Sequence, residues 1–478
     1  MAIALFLVPL LLALVAFLIP APRVRPWLVP LGAALHLGLV VMALHGDAAV
    51  SAFGGWLALD KLGRIALPLV SVLFFACSLY VPAYLRLRPE GPTRVFCGAL
   101  LAFLAMMTLI TESQHLGLLW VSLEASTLAS APLLYFNQNA RSLEATWKYL
   151  LIGGVGIALA LLGSFFLAYA SLSAGHDASL LVADLVRDAP MLSRPWLRTA
   201  FVVLFVGYGT KMGLAPMHTW KPDAYGEAPG IVGALLAGGL TTCAFLALLR
   251  FYQICAAAGE GPFAREIMVA IGLLSMAVAG IFMAGQGDYK RMLAYSSVEH
   301  MGILVLGFGI GGLAAFGALL HVVNNALTKG VLFMAAGNIH RAYGSKTIAT
   351  VSGALRRVPA SGALFLAGFF AVTGSPPFGP FLSEFTILRG AVANGRYGVA
   401  AAFLGLLFVV FVGMGGTVLA VVQGKPAEDL VDTGFRDDLA MVGPALILLI
   451  AVLVLGVWVP PALDAALRDA AQFVETGR

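Results

Sequence analysis

The sequence predicts an all-α polytopic membrane protein of about fourteen transmembrane helices. Three observations carry that expectation. Of the 478 residues, 60% are hydrophobic and only 11% charged, with a mean hydropathy of +0.94; a soluble domain carries about 25% charged residues. Apolar runs of about 20 residues, the length that crosses a bilayer core, follow one another with no soluble domain between them. Two of those runs are interrupted by glycine and proline beside an ionisable residue, as in a discontinuous membrane helix.

Met1 to Pro20 is apolar and lacks the positive region that a cleaved signal peptide needs, so it reads as an uncleaved first span. Spans are expected near 3–20, 27–46, 65–86, 95–111, 115–136 and 146–173. After a polar loop from His176 to Arg198 come 200–222, 229–254, 265–286, 292–309, 312–339, 361–393, 397–423 and 438–461, with a short amphipathic tail beyond Pro461. The seventh and twelfth are the broken ones. If they correspond, helices 1–3 occupy 1–94, one five-helix repeat occupies 95–260, a second, inverted one occupies 261–424, and helix 14 with its tail fills 425–478. No letter-by-letter repeat supports this division; it rests on the breaks. Loops after odd-numbered spans hold 16 Lys and Arg against 11 on the other side, which favours odd loops in the cytoplasm and both termini outside.

Several classes are excluded at this point. No basic run is long enough for nucleic acid. Cys77, Cys97, Cys243 and Cys255 lie in or beside apolar segments with no CxxC or Cys/His cluster, against iron–sulfur, zinc or haem attachment. No cofactor and no metal is expected.

The seventh span carries the densest signal, GYGTKMGLAPMHTWKPDAYGEAP from Gly207 to Pro229. Lys211 is costly in hydrocarbon unless it has a polar partner or a wet cavity. Pro216 removes a helix hydrogen bond, and Gly207, Gly209 and Gly213 weaken the same turns. The stretch reads as an ion site at mid-membrane; a proline kink with a snorkelling lysine would leave the same letters. Glu124, near the middle of the fifth span, is the natural partner for Lys211, unless it is a neutral acid that ties two helices together. Glu144 reads as an interfacial partner of Lys148. Asp288, Lys290 and Arg291 read as interfacial, with Glu299 and His300 inside or at the edge of the tenth span. His321 and Lys329 stand eight residues apart in the eleventh, hence on one face, with Asn324 and Asn325 between them; this looks like a wet path. In the twelfth, Gly374, Pro376, Pro377, Gly379 and Pro380 break the helix and Glu384 stands beyond the break.

These stretches resemble the antiporter-like membrane subunits shared by respiratory complex I, Mrp-type sodium/proton antiporters and group 4 nickel–iron hydrogenases. The similarity is carried by GYGTKMGLAPMHTWKPDA, GDYKRMLAYSSVEHMG, HVVNNALTKGVLFMAAGNI and GSPPFGPFLSEF, and covers roughly the fourth to the thirteenth span. YSSVEHMG, LTKG with AAGNI, and SPPFGPFLSEF look most like the F component of hydrogenase-4 and formate hydrogenlyase complexes. The resemblance implies a proton path along the membrane plane through Glu124, Lys211, His321, Lys329 and Glu384. His218, Lys221, Asp223, Glu299, His300, Thr242 and Asn325 are accessory candidates. It also implies a chain without its own cofactor, embedded in the bilayer of a bacterial inner membrane. Its partners would be other membrane subunits and, through them, a peripheral redox arm. A Mrp-like cation/proton antiporter subunit, the membrane subunit of an inorganic-carbon uptake system, and an inert scaffold are the alternatives. Departures concern the path itself: relatives often have Lys or His where Thr242 stands, a second His at Asn325, and LPDAH where this chain has KPDAY, so Lys221 and Tyr225 are unusual. The chain ends after its fourteenth span, so the long lateral helix of the largest complex I relative is not expected.

Overall fold

The computed structural model describes residues 1–46, 50–88, 91–426 and 433–477, which are helical almost throughout. The first six helices are α1 (Ala2–Leu18), α2 (Arg25–His45), α3 (Gly63–Arg86), α4 (Thr93–Glu112), α5 (Leu116–Leu134) and α6 (Ala140–Leu172). The polar stretch that follows is not a plain loop: it holds α7 (Val182–Asp188) and the start of α8 (Arg194–Met212). Next come α9 (Trp220–Glu227), α10 (Gly230–Ala234), a π turn over Leu235–Leu240, α11 (Thr241–Ala257), α12 (Gly261–Met283), α13 (Tyr289–Ile310) and α14 (Leu313–Tyr343). The chain closes with α15 (Ala354–Arg357), α16 (Pro359–Val372), α17 (Gly379–Ala393), α18 (Tyr397–Val422), α19 (Leu439–Val457) and α20 (Pro461–Thr476). Ser51–Ala52 and Leu57–Ala58 pair as a two-stranded hairpin that the apolar pattern does not announce. Arg478, one of the cations counted on the even side, lies outside the described residues.

Among the described residues, eleven helices are long and apolar enough to cross a membrane, with α10, the π turn and α11 counted as one. Length and apolarity thus establish eleven spans rather than fourteen. The other three are α1, at 17 residues, and the two broken spans, where α8 is followed by α9 and α16 by α17. α20 is the amphipathic tail, with Leu467, Ala470, Ala471 and Val474 buried on one face; the Gln253 side chain of α11 donates to the Phe473 carbonyl.

Both breaks fall where the glycines and prolines stand. α8 ends at Gly213, whose φ of +82° is left-handed and favours glycine. The Ala215–Pro216 and Pro376–Pro377 peptide bonds are cis. The freed backbone groups find partners, as a membrane interior requires. Trp220 Nε1 donates to the Thr210 carbonyl at 2.9 Å, and the Ala215 amide donates to Ser275 Oγ at 3.0 Å. At the second break, Asn324 Nδ2 donates to the Gly379 carbonyl at 2.9 Å. Gly456 of α19 lies so close to Pro377 and Phe378 that any Cβ there would collide with them.

Small residues let the helices close on one another, the usual device where lipid offers no hydrophobic drive. Gly156 and Gly207 bring α6 and α8 into backbone contact. α13 and α14 are buried along their apolar windows and form the centre of the molecule. Arg250 of α11, fully buried, clamps the end of α4: it donates to the carbonyls of Ile110, Thr111 and Ser113 and pairs with Asp60 at 3.1 Å.

Candidate functional site

Three clusters of polar side chains lie inside the bundle. The first joins α5, α6 and α8. Lys211 Nζ is bonded to Thr127 Oγ1, and that hydroxyl lies 3.4 Å from Glu124 Oε2. The expected direct pair of Glu124 with Lys211 does not form; Thr127, one turn along α5, stands between them. The Lys211 ammonium also lies 5.0 Å from the centre of the Tyr149 ring, whose hydroxyl meets Ser130 Oγ at 2.7 Å. Gly153 on α6 leaves the space the ammonium occupies, 3.4 Å from where a Cβ would stand.

The second cluster sits where α9 and α14 meet α13. Lys221 is fully buried and its Nζ donates to Ser297 Oγ at 3.1 Å. Its stem packs over Gly213, where a side chain would strike it. Lys329, also fully buried, donates to the neighbouring Ser296 Oγ at 2.7 Å. Consecutive hydroxyls of one helix therefore hold two lysines. Glu299, also buried, stands one turn further along α13. Between this cluster and the first run the rings of Tyr149, Trp220 and Tyr225, with centroids 5.1 and 5.9 Å apart along the series.

The third cluster joins α13, α14 and α17. Glu299 Oε2 lies 4.0 Å from His300 Nε2. His300 Nδ1 and His321 Nε2 are 2.9 Å apart, and His321 Nδ1 meets Ser383 Oγ at 2.9 Å. Glu384 follows Ser383 on α17, buried, with its Oε1 unpartnered among the described residues. The carboxylate lines a cavity of about 300 Å³ between α17 and α18, walled by Phe381, Phe385, Phe403 and Phe408.

Glu124, Lys211, Lys329, His321 and Glu384 thus fall within these three clusters, and Lys221, Glu299 and His300 stand in them as well. The other accessory candidates do not. Thr242 turns its hydroxyl back to the Gly238 carbonyl of its own helix at 2.6 Å and faces the apolar Leu62, Ile65 and Ala66. Asn325 is buried with an unpartnered Oδ1; its neighbour Asn324 is the one that holds the second break. His218 is nearly buried beside Tyr295, its Nδ1 unpartnered among the described residues. Asp223 belongs to a surface network with Lys148 at 2.8 Å and Arg291 at 3.1 Å. The expected Glu144–Lys148 pair forms there at 2.6 Å. Lys290 departs from its interfacial reading: it is buried, its Nζ donating to the Ala228 carbonyl at 2.6 Å.

The hydroxyl links, Thr127, Ser296, Ser297 and Ser383, were missed by sequence reasoning. Each stands within a turn of an ionisable residue already singled out, and that adjacency was the available signal. The four cysteines are buried and unpaired. The group His300, His321 and Glu384, drawn from three helices, is one that no spacing along the chain reveals.

A family model described as NADH:quinone oxidoreductase/Mrp antiporter, TM matches residues 113–412, which include Glu124 of the first cluster and Glu384 of the third. The chain belongs to that family. The antiporter family member is similar over nearly its whole length to a hydrogenase-4 component F homolog from Methylacidiphilum infernorum: 34% identical over 471 residues, 96% of this chain and 97% of that one. Its fold is that of a chain in the Mrp complex of Dietzia sp. DQ12-45-1b, with a TM-score of 0.88 over 99% of this chain and 97% of that one, at 19% identity. A chain of respiratory complex I from Thermus thermophilus matches with a TM-score of 0.76 at 26% identity, over 95% of this chain and 98% of that one. The protein is an antiporter-like, multi-pass membrane subunit, and these similar chains sit in multi-subunit membrane complexes.

Proposed function

We propose that this subunit carries protons along the membrane plane, from Glu124 through Lys211, Lys221, Lys329, His300 and His321 to Glu384, inside a redox-driven complex. The observation that carries the reading is the line itself. Buried ionisable groups are costly in a membrane and stand where an ion moves, and here they run through both broken helices. Two of the links have groups that can pass a proton directly. A hydroxyl both donates and accepts, so Thr127 hands a proton from the Lys211 ammonium to Glu124, or the reverse, without the two touching. The imidazoles of His300 and His321 share one proton between facing nitrogens, and either ring can release it on its far side. Between Lys211 and Lys221 the aromatic rings offer no such link, so that step needs water or a shift of α9.

A charge that arrives at one group alters the cost of charge at the next. A push from a partner that moves one proton therefore travels down the line. The chain supplies no redox chemistry in this scheme; a peripheral redox arm, reached through partner membrane subunits, does. The similarity to a hydrogenase-4 component F homolog supports a hydrogenase or formate hydrogenlyase type of complex, or an NADH dehydrogenase-like one, in a bacterial inner membrane. The two broken spans support two inverted five-helix repeats at 95–260 and 261–424, with the odd loops in the cytoplasm. The likeness to a chain of the Mrp complex keeps a cation/proton antiporter subunit as the second reading. Proton uptake by the intact complex in sealed vesicles tests the proposal: Lys211→Ala abolishes pumping while part of the partner's redox activity survives. Unchanged pumping refutes it.

A further inference from the structure

The third cluster has the form of a metal site as well as of a proton relay. One ligand atom from each of His300, His321 and Glu384 lies within 4.8 Å of the other two, and all three residues are buried. The facing ring nitrogens are 2.9 Å apart. Two nitrogens bound tetrahedrally at about 2.0–2.1 Å stand about 3.3 Å apart, so an ion is accommodated when the pair opens by a few tenths of an ångström and the rings turn until both lone pairs point at it. The far nitrogen of His321 already has the outer partner that a ligating histidine uses to fix its orientation. Ser383 Oγ meets His321 Nδ1 at 2.9 Å, and Glu299 Oε2 stands 4.0 Å from His300 Nε2. Both His300 Nε2 and Glu384 Oε1 lack a partner among the described residues, so turning Glu384 Oε1 toward an ion breaks no hydrogen bond of that oxygen.

We propose that His300, His321 and Glu384 bind a borderline divalent cation of the Zn²⁺ class and that the bound ion blocks the proton line. Two imidazoles and one carboxylate, with a fourth position left for water, are a donor set that suits this class rather than Mg²⁺ or Ca²⁺. The ion takes the place of the proton held between the two rings, which leaves along the line. Two nearby lysines, Lys329 and Lys221, oppose the dication, and two carboxylates, Glu299 and Glu384, offset them. The cavity beside Glu384 gives the ion access from the side in the purified protein. Occupancy stands on these side chains alone; only the block rests on the proposed proton transfer.

Co²⁺, a coloured stand-in for Zn²⁺, is the probe, added to the full-length protein in detergent. The expected result is one equivalent bound, with visible absorption bands of a four- or five-coordinate nitrogen/oxygen site, displaced by Zn²⁺. Glu384→Gln and His321→Gln each lose the bands, whereas His36→Gln, at a buried histidine held by Ser71 and Thr108 elsewhere in the bundle, keeps them. Wild-type protein that binds no Co²⁺, or bands that survive in both triad variants, overturns the proposal. In vesicles, Zn²⁺ stops proton uptake by the wild-type complex. A site that fills with metal while pumping continues removes the block but leaves the proton line to be judged by Lys211→Ala.

Discussion

Thr127 places its hydroxyl between the Lys211 ammonium and the Glu124 carboxylate, bonded to the first and 3.4 Å from the second. The glutamate and lysine that the sequence pairs therefore communicate through a neutral group. Thr127→Val keeps the shape and removes the link. Proton uptake by the complex should fall about tenfold or more, the scale of one lost hydrogen bond to a charged group. Thr127→Ser should retain most of it. Equal activity in the two variants would show that the hydroxyl plays no part.

Lys221, which opens the KPDAY stretch, is as deeply buried as Lys329. Lys221→Met should impair pumping as severely as Lys329→Met and leave the protein in the membrane at wild-type abundance. Full pumping in Lys221→Met would remove this lysine from the path.

Gly213 combines a φ of +82° with the Lys221 stem directly over its Cα. Gly213→Ala should destabilise the chain by about 1–3 kcal/mol through backbone strain and steric contact. Thermal unfolding in detergent reads this as a lowered midpoint. Gly154, whose Cβ would meet nothing within 4 Å, is the control: Gly154→Ala should leave the midpoint unchanged or slightly raised.

Arg250 donates to three carbonyls at the end of α4 while fully buried. Arg250→Met strands those carbonyls and leaves Asp60 without its cation. A loss of about 3–5 kcal/mol is expected, as for other broken buried pairs. Arg250→Lys should recover only part of it, because an ammonium cannot span the fork that the guanidinium fills. The same unfolding measurement decides.

Much of the site was legible because charge is so rare in this chain. Lys211, Lys329, His321 and Glu384 stand out against apolar runs, and the glycines and prolines mark both breaks to within a few residues. Hydroxyls are harder to read. In membrane helices Ser and Thr commonly bond back to a carbonyl of their own helix; Thr242 does this, whereas Ser383 does so and also meets His321 of α14, and Ser296 accepts from Lys329 of α14. Nothing in the local letters separates the two cases. Lys290 misled for a related reason: its burial depends on the Ala228 carbonyl, brought in from the turn before α10. The hairpin at Ser51–Ala58 has strands of two residues, too short for any periodicity to appear.

Ser296 and Ser297 are successive residues of α13, set about 100° apart around its axis, and each holds one lysine. A turn of that helix in either direction carries both oxygens off their ammonium groups together. The azimuth of α13 is thus a single latch on two positive charges: both are held or both are let go. A neighbour that rotates this one rod by half a residue would free Lys221 and Lys329 in one stroke.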